Sequence, residues 1–529
     1  MSKTFNNPIL PGFYPDPSIC RVGEDYYLVT STFEYFPGLP IFHSRDLVNW
    51  QQIGHVIDRP SQLDLDEIRN SGGLFAPTIR YHDGTFYVIN TLVDGKSQSG
   101  NFIVTASDPA GPWSDPYWLD DAPGIDPSLL FDDDGRAWYC GTELVEEGFY
   151  KGHTQVYVNE LDLNTMQLTG ERTVIWDGAV KGVVWTEAPH IYKINGRYYL
   201  LTSEAGTAHH HAISIARSDH VTGPYEGNRG NPILTHRHLG LDYPIVGTGH
   251  GDLVETQNGE WWMVLLAMRP YGGYYYNLGR ETFLAPVRWE EDGWPIISPG
   301  TGRVESSCPV PDLPAHPWSA PPARDDFDEP ALHPKWNFLR IPREPFWSLT
   351  ERPSYLRLKC RPEKLSQEVN PGFVGLRQQH MNFTAKTAVE FTPQSSQECA
   401  GLIVTQNHNF HYRLIVTQNG SKPIICLIER AHGREKLLSE KPFTAGKFYL
   451  KVQAWGQNYS FYAASALGDV WEPIAENVDG RILSTPIAGG FVGAYIGMIT
   501  SSNGQPSSNH ADFDWFEYKG EDVSVVNSK

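Results

Sequence analysis

Three acidic side chains stand in settings that suit acid–base chemistry. Asp16 lies in GFYPDPS, Asp126 in GIDPSLLF and Glu187 in VVWTEAPH. Hydrolysis of a glycosidic bond needs one carboxyl group to protonate the leaving oxygen and another to activate water or attack the sugar. The apolar and aromatic neighbours of Glu187 predict a raised pKa, as a general acid requires. Asp16, held before a proline, is the predicted base, and Asp126 would raise the Glu187 pKa further and orient the acid or the sugar.

A structural alternative exists for each of these motifs. Asp-Pro-Ser also begins strands after turns, with the aspartate bonding the backbone. Two Asp-Pro-Ser copies and one Thr-Glu-Ala-Pro occur in phase with a longer repeat, however, and this favours catalysis. The acidic run at 132–134 precedes Gly135 in a turn and is interpreted as a solvated loop.

One strand–turn–strand pattern occurs five times in the first 270 residues. Each copy is a short apolar strand, a turn with glycine and a strand rich in aromatic residues, which is typical of a β-hairpin. Such a repeat predicts an all-β five-bladed propeller, whose equivalent positions converge on a central axis. The acidic residues and His250 are therefore predicted to meet in one funnel. The copies start 60, 50, 62 and 62 residues apart, at Asp16, Ala76, Asp126, Ala188 and His250.

The repeat stops at a proline-rich stretch, CPVPDLPAHPWSAPPARDD, which disfavours both helix and central strand. Short alternating strands follow and predict a β-sandwich of two antiparallel sheets, a concanavalin-like jelly roll. The predicted division is a propeller over 1–307, a linker over 308–325, a sandwich closing the active-site pocket over 326–520 and a C-terminal tail over 521–529.

The composition indicates which classes of partner and which cellular compartment to expect. The 529 residues carry a formal charge of −20 and no cluster of lysine and arginine, so neither nucleic acid nor an anionic membrane is a predicted partner. No apolar run is long enough for a transmembrane helix, and no secretory signal is expected at the N-terminus. The six cysteines are widely spread without a C-x-x-C pair, which favours free thiols in a reducing, cytoplasmic compartment.

Four stretches resemble glycoside hydrolase family 43, in particular its β-xylosidase-type members: the region from NPILPGFYPDPS to RDLVNW, GIDPSLLFDDDG, WTEAPHIYKINGRYYLLTSEAGT and NLGRETFLAPVRW. The resemblance covers nearly the whole chain. It implies a five-bladed propeller with an appended sandwich and an inverting exo-glycosidase. It also implies that Asp16 is the general base, Glu187 the general acid and Asp126 the residue that tunes the acid. In an inverting enzyme, water lies between the base and the anomeric carbon.

The resemblance also implies residues that bind the sugar. Arg280 in LGRETF would reach the sugar subsite, although a structural ion pair with Glu281 or another acid is the alternative. Phe33 and Phe75 would line the pocket, or belong to the core; the family often has tryptophan at the latter position. Tyr495, in GGFVGAYIGMITSSNG, would cover the pocket. Such a wall would admit only a chain end, whereas the alternative for the second domain is a carbohydrate-binding module.

His250 opens the fifth copy and is predicted to approach the axis. The resemblance implies Ca²⁺ in the central channel, with this histidine as the protein ligand and water completing the shell. Calcium prefers oxygen ligands, so the alternative is a hydrogen-bonded histidine beneath the acids. No organic cofactor is predicted.

We therefore predict an inverting exo-β-1,4-xylosidase that releases xylose from the non-reducing end of xylooligosaccharides, plain or decorated with arabinose. One alternative is α-L-arabinofuranosidase, as the main or a second activity. The other is a propeller that binds carbohydrate without catalysis, against which the intact set of three acids argues. The sequence leaves open whether the protein is a homo-oligomer.

Overall fold

The chain folds almost entirely into antiparallel strands, which confirms the all-β prediction. The computed structural model describes residues 3–443, 446–466, 468 and 470–522. The predicted tail at 521–529 lies outside the described residues from position 523 onward. No described helix has the length and apolar character needed to cross a bilayer.

Residues 4–309 form sheets that succeed one another along the chain. Strand β1 (Thr4–Asn6) pairs with the last strand of this region. The first sheet is formed by β2 (Ser18–Val22), β3 (Asp25–Val29), β5 (Gly38–Ser44) and β6 (Gln51–Ile57), in the order β2-β3-β5-β6. The short strand β4 (Tyr35–Phe36) is not part of this sheet. In the second sheet, β8 and β7 both pair with β9; the bounds are β7 (Gly73–Leu74), β8 (Thr78–His82), β9 (Thr85–Val93), β10 (Gly100–Ala106) and β11 (Tyr117–Trp118).

The next three sheets repeat this up-and-down order. The third contains β12 (Ile125–Phe131), β13 (Ala137–Leu144), β14 (Thr154–Asp162) and β15 (Gln167–Trp176). The fourth contains β16 (Glu187–Ile194), β17 (Arg197–Glu204), β18 (Ala212–Ser218), β19 (Glu226–Gly227) and β20 (Leu234–Thr235). The fifth contains β21 (Val246–Glu255), β22 (Trp261–Met268), β23 (Glu281–Trp289) and β24 (Pro295–Ile297), and β25 (Ser307–Pro309) pairs with β1.

The five predicted hairpins are confirmed. They are the antiparallel pairs β2–β3, β8–β9, β12–β13, β16–β17 and β21–β22. Their aromatic second strands are largely buried, because each lies between two other strands of its sheet.

One buried carboxylate joins four of these sheets. Asp252 accepts hydrogen bonds from Arg80 at 2.9 and 3.1 Å, from the Tyr192 hydroxyl at 2.6 Å and from the Ser18 hydroxyl at 2.7 Å. Burial alone would raise the pKa of Asp252, but the Arg80 guanidinium and the His190 ring hold it well below its ordinary value. The ion pair is therefore an internal connection between strands β2, β8, β16 and β21.

The remaining residues form two sheets packed face to face. No strand lies between 310 and 323, within the predicted linker. The eight-stranded sheet has the order β28-β29-β40-β31-β36-β37-β38, with β26 paired to β40. The six-stranded sheet has the order β30-β39-β32-β33-β34-β35. Two short helices, a 3-10 turn at Gly480–Leu483 and α1 at Thr485–Ala488, precede β39. The strands are β26 (Arg324–Asp325), β27 (Phe338–Leu339), β28 (Trp347–Ser348), β29 (Leu356–Lys359), β30 (Gly372–Arg377), β31 (Asn382–Phe391), β32 (Cys399–Asn407), β33 (Phe410–Asn419), β34 (Lys422–Ala431), β35 (Arg434–Pro442), β36 (Gly446–Trp455), β37 (Asn458–Ala464), β38 (Glu472–Asp479), β39 (Tyr495–Ser501) and β40 (His510–Gly520).

The two regions are joined by strand pairing and by a common core. Strand β4 pairs with β27 across the boundary. Arg377 Nε donates to the Phe13 carbonyl at 2.7 Å. Gly279 and Gly493 approach so closely that a Cβ on Gly279 would lie 2.9 Å from the Gly493 Cα. The largest apolar cluster includes buried residues of both regions, among them Leu74 and Leu402. The sandwich is therefore packed onto the first region rather than tethered to it.

The Asp252 network generates a stability prediction. We expect Asp252→Asn to lower the free energy of unfolding by about 3–5 kcal/mol, because it leaves the Arg80 charge buried without a counter-charge. Urea unfolding followed by fluorescence measures this change. Glu24→Gln, which breaks an exposed ion pair with Arg45, is the control and should cost no more than about 1 kcal/mol. Equal small losses for the two variants would contradict the structural role of Asp252.

Candidate active site

Four of the five residues that open the repeat copies share an unusual backbone conformation. Asp16, Asp126, Ala188 and His250 all have positive φ, between 49° and 54°. The pairing register also shifts at the starts of β12, β16 and β21. Positive φ is uncommon outside glycine, and bulges re-aim side chains at strand ends. Backbone strain of this kind concentrates at functional sites.

Asp16 is held by donors on two sides. Arg280 Nη1 donates to its Oδ1 at 2.7 Å, and the Ser31 hydroxyl donates to its Oδ2. His250 Nδ1 lies 3.6 Å from the same Oδ1. All three partners of Asp16 are buried. The carboxylate is therefore fixed in orientation and paired with a buried guanidinium.

Glu187 and Asp126 lie in an environment that disfavours their ionised forms. Burial raises the pKa of Glu187 well above its ordinary value, the carboxylates of Asp126 and Asp16 add to this rise, and Arg280 opposes it. Burial also raises the pKa of Asp126, although the His250 ring opposes that rise. The Ala188 backbone N–H donates to Asp126 Oδ2 at 3.1 Å. The structure thus brings the three predicted acids together and places Glu187 in the setting that keeps a carboxyl group protonated.

Aromatic rings form one wall beside these acids. Phe33 packs on Phe75 with ring centroids 5.0 Å apart, and on Phe491 at 5.7 Å. The Arg280 guanidinium lies 5.4 Å from the Phe33 ring and 5.6 Å from the Phe491 ring. Phe33 is buried, whereas Phe75 and Phe491 are partly exposed. The exposed surface of this wall therefore comes from Phe75 and Phe491.

Arg280 pairs with Asp16 and not with its neighbour Glu281. Glu281 instead accepts two hydrogen bonds from Arg269, at 2.7 and 2.8 Å. Arg280 also contacts the second region, because its Nη2 donates to the Phe491 carbonyl at 3.4 Å. The guanidinium thus spans from the carboxylate to the sandwich.

Tyr495 does not cover the pocket, and this prediction is wrong. Its side chain is fully buried, stacked on Tyr35 at 3.9 Å and packed edge-on against Phe13 at 6.4 Å. Tyr495 is the first residue of β39, and the strand turns its ring into the interface between the two regions. Phe491, four residues earlier in the preceding loop, reaches the aromatic wall instead, where its N–H donates to the Ser71 hydroxyl at 2.8 Å.

Sequence reasoning also missed Ser31 and Ser203. Ser18 pairs with Val29 in the first hairpin, and continuing that register places Ser31 opposite Asp16. The hairpin pattern therefore contained the signal for this contact. Ser203 pairs with Glu187, and its hydroxyl accepts from the His250 N–H at 2.6 Å. No sequence signal indicated that second contact, because it joins two different sheets.

Two family profiles cover most of the chain. Residues 5–295 match Glycosyl hydrolases family 43, and residues 324–519 match the β-xylosidase C-terminal concanavalin A-like domain. The chain belongs to glycoside hydrolase family 43. This membership confirms the predicted resemblance and the predicted class of fold, a propeller followed by a concanavalin-like domain. The protein is therefore a glycoside hydrolase.

Named relatives match this glycoside hydrolase along its whole length. A xylosidase/arabinosidase of Butyrivibrio fibrisolvens is 47% identical, over 97% of this chain and 98% of the relative. A non-reducing end α-L-arabinofuranosidase of Bacteroides ovatus is 42% identical, over 98% of this chain and 95% of the relative. The crystal structure of a xylan β-1,4-xylosidase of Bacillus halodurans is 40% identical and superposes with a TM-score of 0.93, over 97% of this chain and 100% of that one.

The charges of the site give a prediction for this glycoside hydrolase. We expect Asp126→Asn to lower the pKa of Glu187, because removing a nearby negative charge makes ionisation easier. Carboxyl titration by infrared difference spectroscopy, with a Glu187→Gln variant to assign the band, measures the change. Asp133→Asn, an exposed carboxylate, is the control and should leave the titration in place. An unchanged Glu187 pKa in the Asp126 variant would contradict the coupling.

Proposed function

We propose that the protein is an inverting exo-β-1,4-xylosidase that releases xylose from the non-reducing end of β-1,4-xylooligosaccharides. Asp16 is the proposed base that activates water, Glu187 the acid that protonates the leaving oxygen, and Asp126 the residue that tunes Glu187. The observation that carries this proposal is the contrast between two neighbouring acids. Asp16 is paired with Arg280, whereas Glu187 has a raised pKa from burial and like charge.

This contrast supports the assignment of separate acid and base roles, which hydrolysis needs. A protonated Glu187 can donate to the leaving oxygen, and an ionised Asp16 can take a proton from water. Arg280 and Ser31 fix the orientation of Asp16, so the base does not have to reorganise during the reaction. The intact acid–base pair and the family membership argue against a propeller that only binds carbohydrate.

The aromatic wall supports action at a chain end. Phe75, Phe491 and Arg280 are the proposed contacts of the terminal sugar, with Phe33 packed behind them. Because Phe491 comes from the sandwich, the second domain closes one side of the site. A site closed on one side accepts the end of a chain and excludes its middle.

α-L-Arabinofuranosidase activity is the second candidate. It is supported by the relatives, because one is named a xylosidase/arabinosidase and another a non-reducing end α-L-arabinofuranosidase. β-D-Xylopyranose and α-L-arabinofuranose can present similar hydroxyl groups to one pocket. The substrates we propose are therefore xylooligosaccharides, plain or decorated with arabinose.

The finer architecture is also a proposal. We propose that the first region is a five-bladed propeller over 1–307, joined by a linker at 308–325 to a sandwich at 326–520. In support, strands β2, β8, β12, β16 and β21 contact one another in a ring. We also propose a cytoplasmic location, supported by six free and buried cysteines.

Product stereochemistry and substrate preference test the main proposal. Proton NMR of the early products from xylobiose should show α-xylose released from the non-reducing unit, because water attacks the face opposite the leaving group. Rates on p-nitrophenyl β-D-xyloside should exceed those on the α-L-arabinofuranoside. Early β-xylose would overturn the inverting mechanism, and a reversed rate order would make arabinofuranosidase the main activity.

The role of Glu187 is tested by the leaving group. We expect Glu187→Ala to lose about 10²–10⁴-fold in kcat on xylobiose but less on an activated aryl xyloside, which needs little protonation. Asp16→Ala should be severely impaired on both substrates, since both need water to be activated. Equal losses on the two substrates in the Glu187 variant would contradict its role as the acid.

Calcium in the central channel is a further proposal. Within the described part of the chain, no three His, Cys, Asp or Glu side chains converge on a metal position. His250 would be the protein ligand and water would complete the shell, which fits a weakly held ion. Bound calcium would add positive charge beneath the carboxylates and favour their ionised forms.

Prolonged dialysis against EDTA tests this proposal. We expect metal analysis of the purified protein to find one calcium per chain, and the EDTA-treated protein to have a lower melting temperature that added calcium restores. His250→Ala should bind no calcium and should not respond to it. If the native protein contains no stoichiometric divalent ion, the calcium proposal fails, and His250 is only a ring that lies beside Asp16.

A further inference from the structure

A cavity of about 440 Å³ lies on the outer face of the six-stranded sheet in the sandwich. Arg413, Ile415 and Thr417 of β33 line it, together with residues of β39 and β34. Their neighbours Leu414 and Val416 point the other way, into the core between the two sheets. The cavity is therefore built on the sheet surface that the sandwich core leaves free.

The same sheet face also contacts the active-site region. Ile415 and Ile499 belong to an apolar cluster that includes Phe13 and Phe33. One end of this face is thus packed behind the aromatic wall, and the other end is open as the cavity. A ligand bound in the cavity would lie on the side of the sandwich that faces the first region.

The cavity has an excess of positive charge. Its charged lining residues are Lys364, Arg413 and Arg430, with Glu435 as the acidic member. Arg413 Nη2 donates to Glu435 Oε1 at 2.6 Å, and Arg430 Nη1 lies 3.6 Å from the same oxygen. Two guanidinium groups therefore share one carboxylate.

Arg413 has more donors than partners. Its side chain is only 8% exposed, Nη2 donates to Glu435, Nε is enclosed by protein atoms, and Nη1 has no hydrogen-bond partner among the described residues. A guanidinium carries five N–H donors, and buried donors in proteins are normally satisfied. The donor left for a ligand is therefore Nη1, and in a cavity with surplus positive charge its missing partner is an anionic group.

We propose that this cavity binds the carboxylate of an acidic sugar, specifically a uronic acid carried by a xylan-type oligosaccharide. A planar guanidinium matches a carboxylate in a two-pronged geometry, for which a lone lysine is less suited. Thr417 and Asn503 in the lining already donate to backbone carbonyls, and their hydroxyl and amide oxygens remain as acceptors for the sugar hydroxyls. The identity of the oligosaccharide rests on the proposed function, whereas the carboxylate rests on the arginines alone.

Binding by the full chain tests the proposal. In a Glu187→Gln background, which slows hydrolysis, calorimetry would compare four probes: xylotetraose, the same tetraose with a glucuronic acid branch, free glucuronate and inorganic phosphate. We expect the branched probe to occupy a second site that xylotetraose does not occupy, and glucuronate to bind there more weakly. Arg413→Gln should weaken that site at least about tenfold, because a charge-assisted hydrogen bond is lost.

Two further variants keep the test decisive. Arg430→Gln removes the more accessible guanidinium and should weaken the same site, whereas Arg434→Gln, an exposed arginine on β35, should leave it unchanged. Melting temperature, and the rate on an aryl xyloside with Glu187 restored, verify that each variant is folded.

Three outcomes would overturn the acidic-sugar site: equal binding of neutral and branched probes, no effect of Arg413→Gln and Arg430→Gln, or phosphate binding as tightly as the branched probe. The proposed function can fail separately. A protein that lacks xylosidase activity but binds glucuronate through Arg413 would keep the carboxylate site and lose the xylan assignment.

Discussion

The Asp252 carboxylate is the interaction on which the first region depends. It lies two residues after His250 in the fifth copy of the repeat, and Ser18 and His190 lie at the same offset in the first and fourth copies. The residues two places after the start of these copies meet around Arg80 inside the protein. The residues that open the copies, among them Asp16 and Asp126, meet in the active site. Because equivalent positions of the repeat come together, the acids of the site and the Asp252–Arg80 ion pair lie in neighbouring layers of the first region.

The repeat also concentrates negative charge in the active site. Three carboxylates lie in one small volume, and burial makes the ionisation of Glu187 and of Asp126 more costly. Arg280 forms its ion pair with Asp16, and its charge also opposes the rise in the pKa of Glu187 and of Asp126. Burial, together with the carboxylates of Asp126 and Asp16, still raises the pKa of Glu187. The ion pair with Arg280 thus distinguishes Asp16 from Glu187, which has no such partner and keeps a raised pKa.

Much of this arrangement could be predicted from the sequence, because the hairpins and their phase follow from local patterns. Asp16, Asp126 and Glu187 come together for that reason. Tyr495 failed as a prediction because the resemblance indicated an aromatic residue in that segment but not which one. The ring that reaches the wall, Phe491, lies in a loop whose path depends on contacts with Ser71 and Arg280. Contacts between distant segments of this kind leave no periodic signal in a sequence.

The shared core of the two regions has a consequence for how the chain folds. Phe491 contacts Ser71 across 420 residues, and Arg377 contacts Phe13 across 364. During synthesis, the first region emerges from the ribosome long before its covering sheet exists, and Leu74 and Phe33 then lack the packing partners that the sandwich supplies. The nascent chain therefore carries an exposed apolar surface until β39 is made, and in that interval it is most prone to aggregation and most dependent on chaperones.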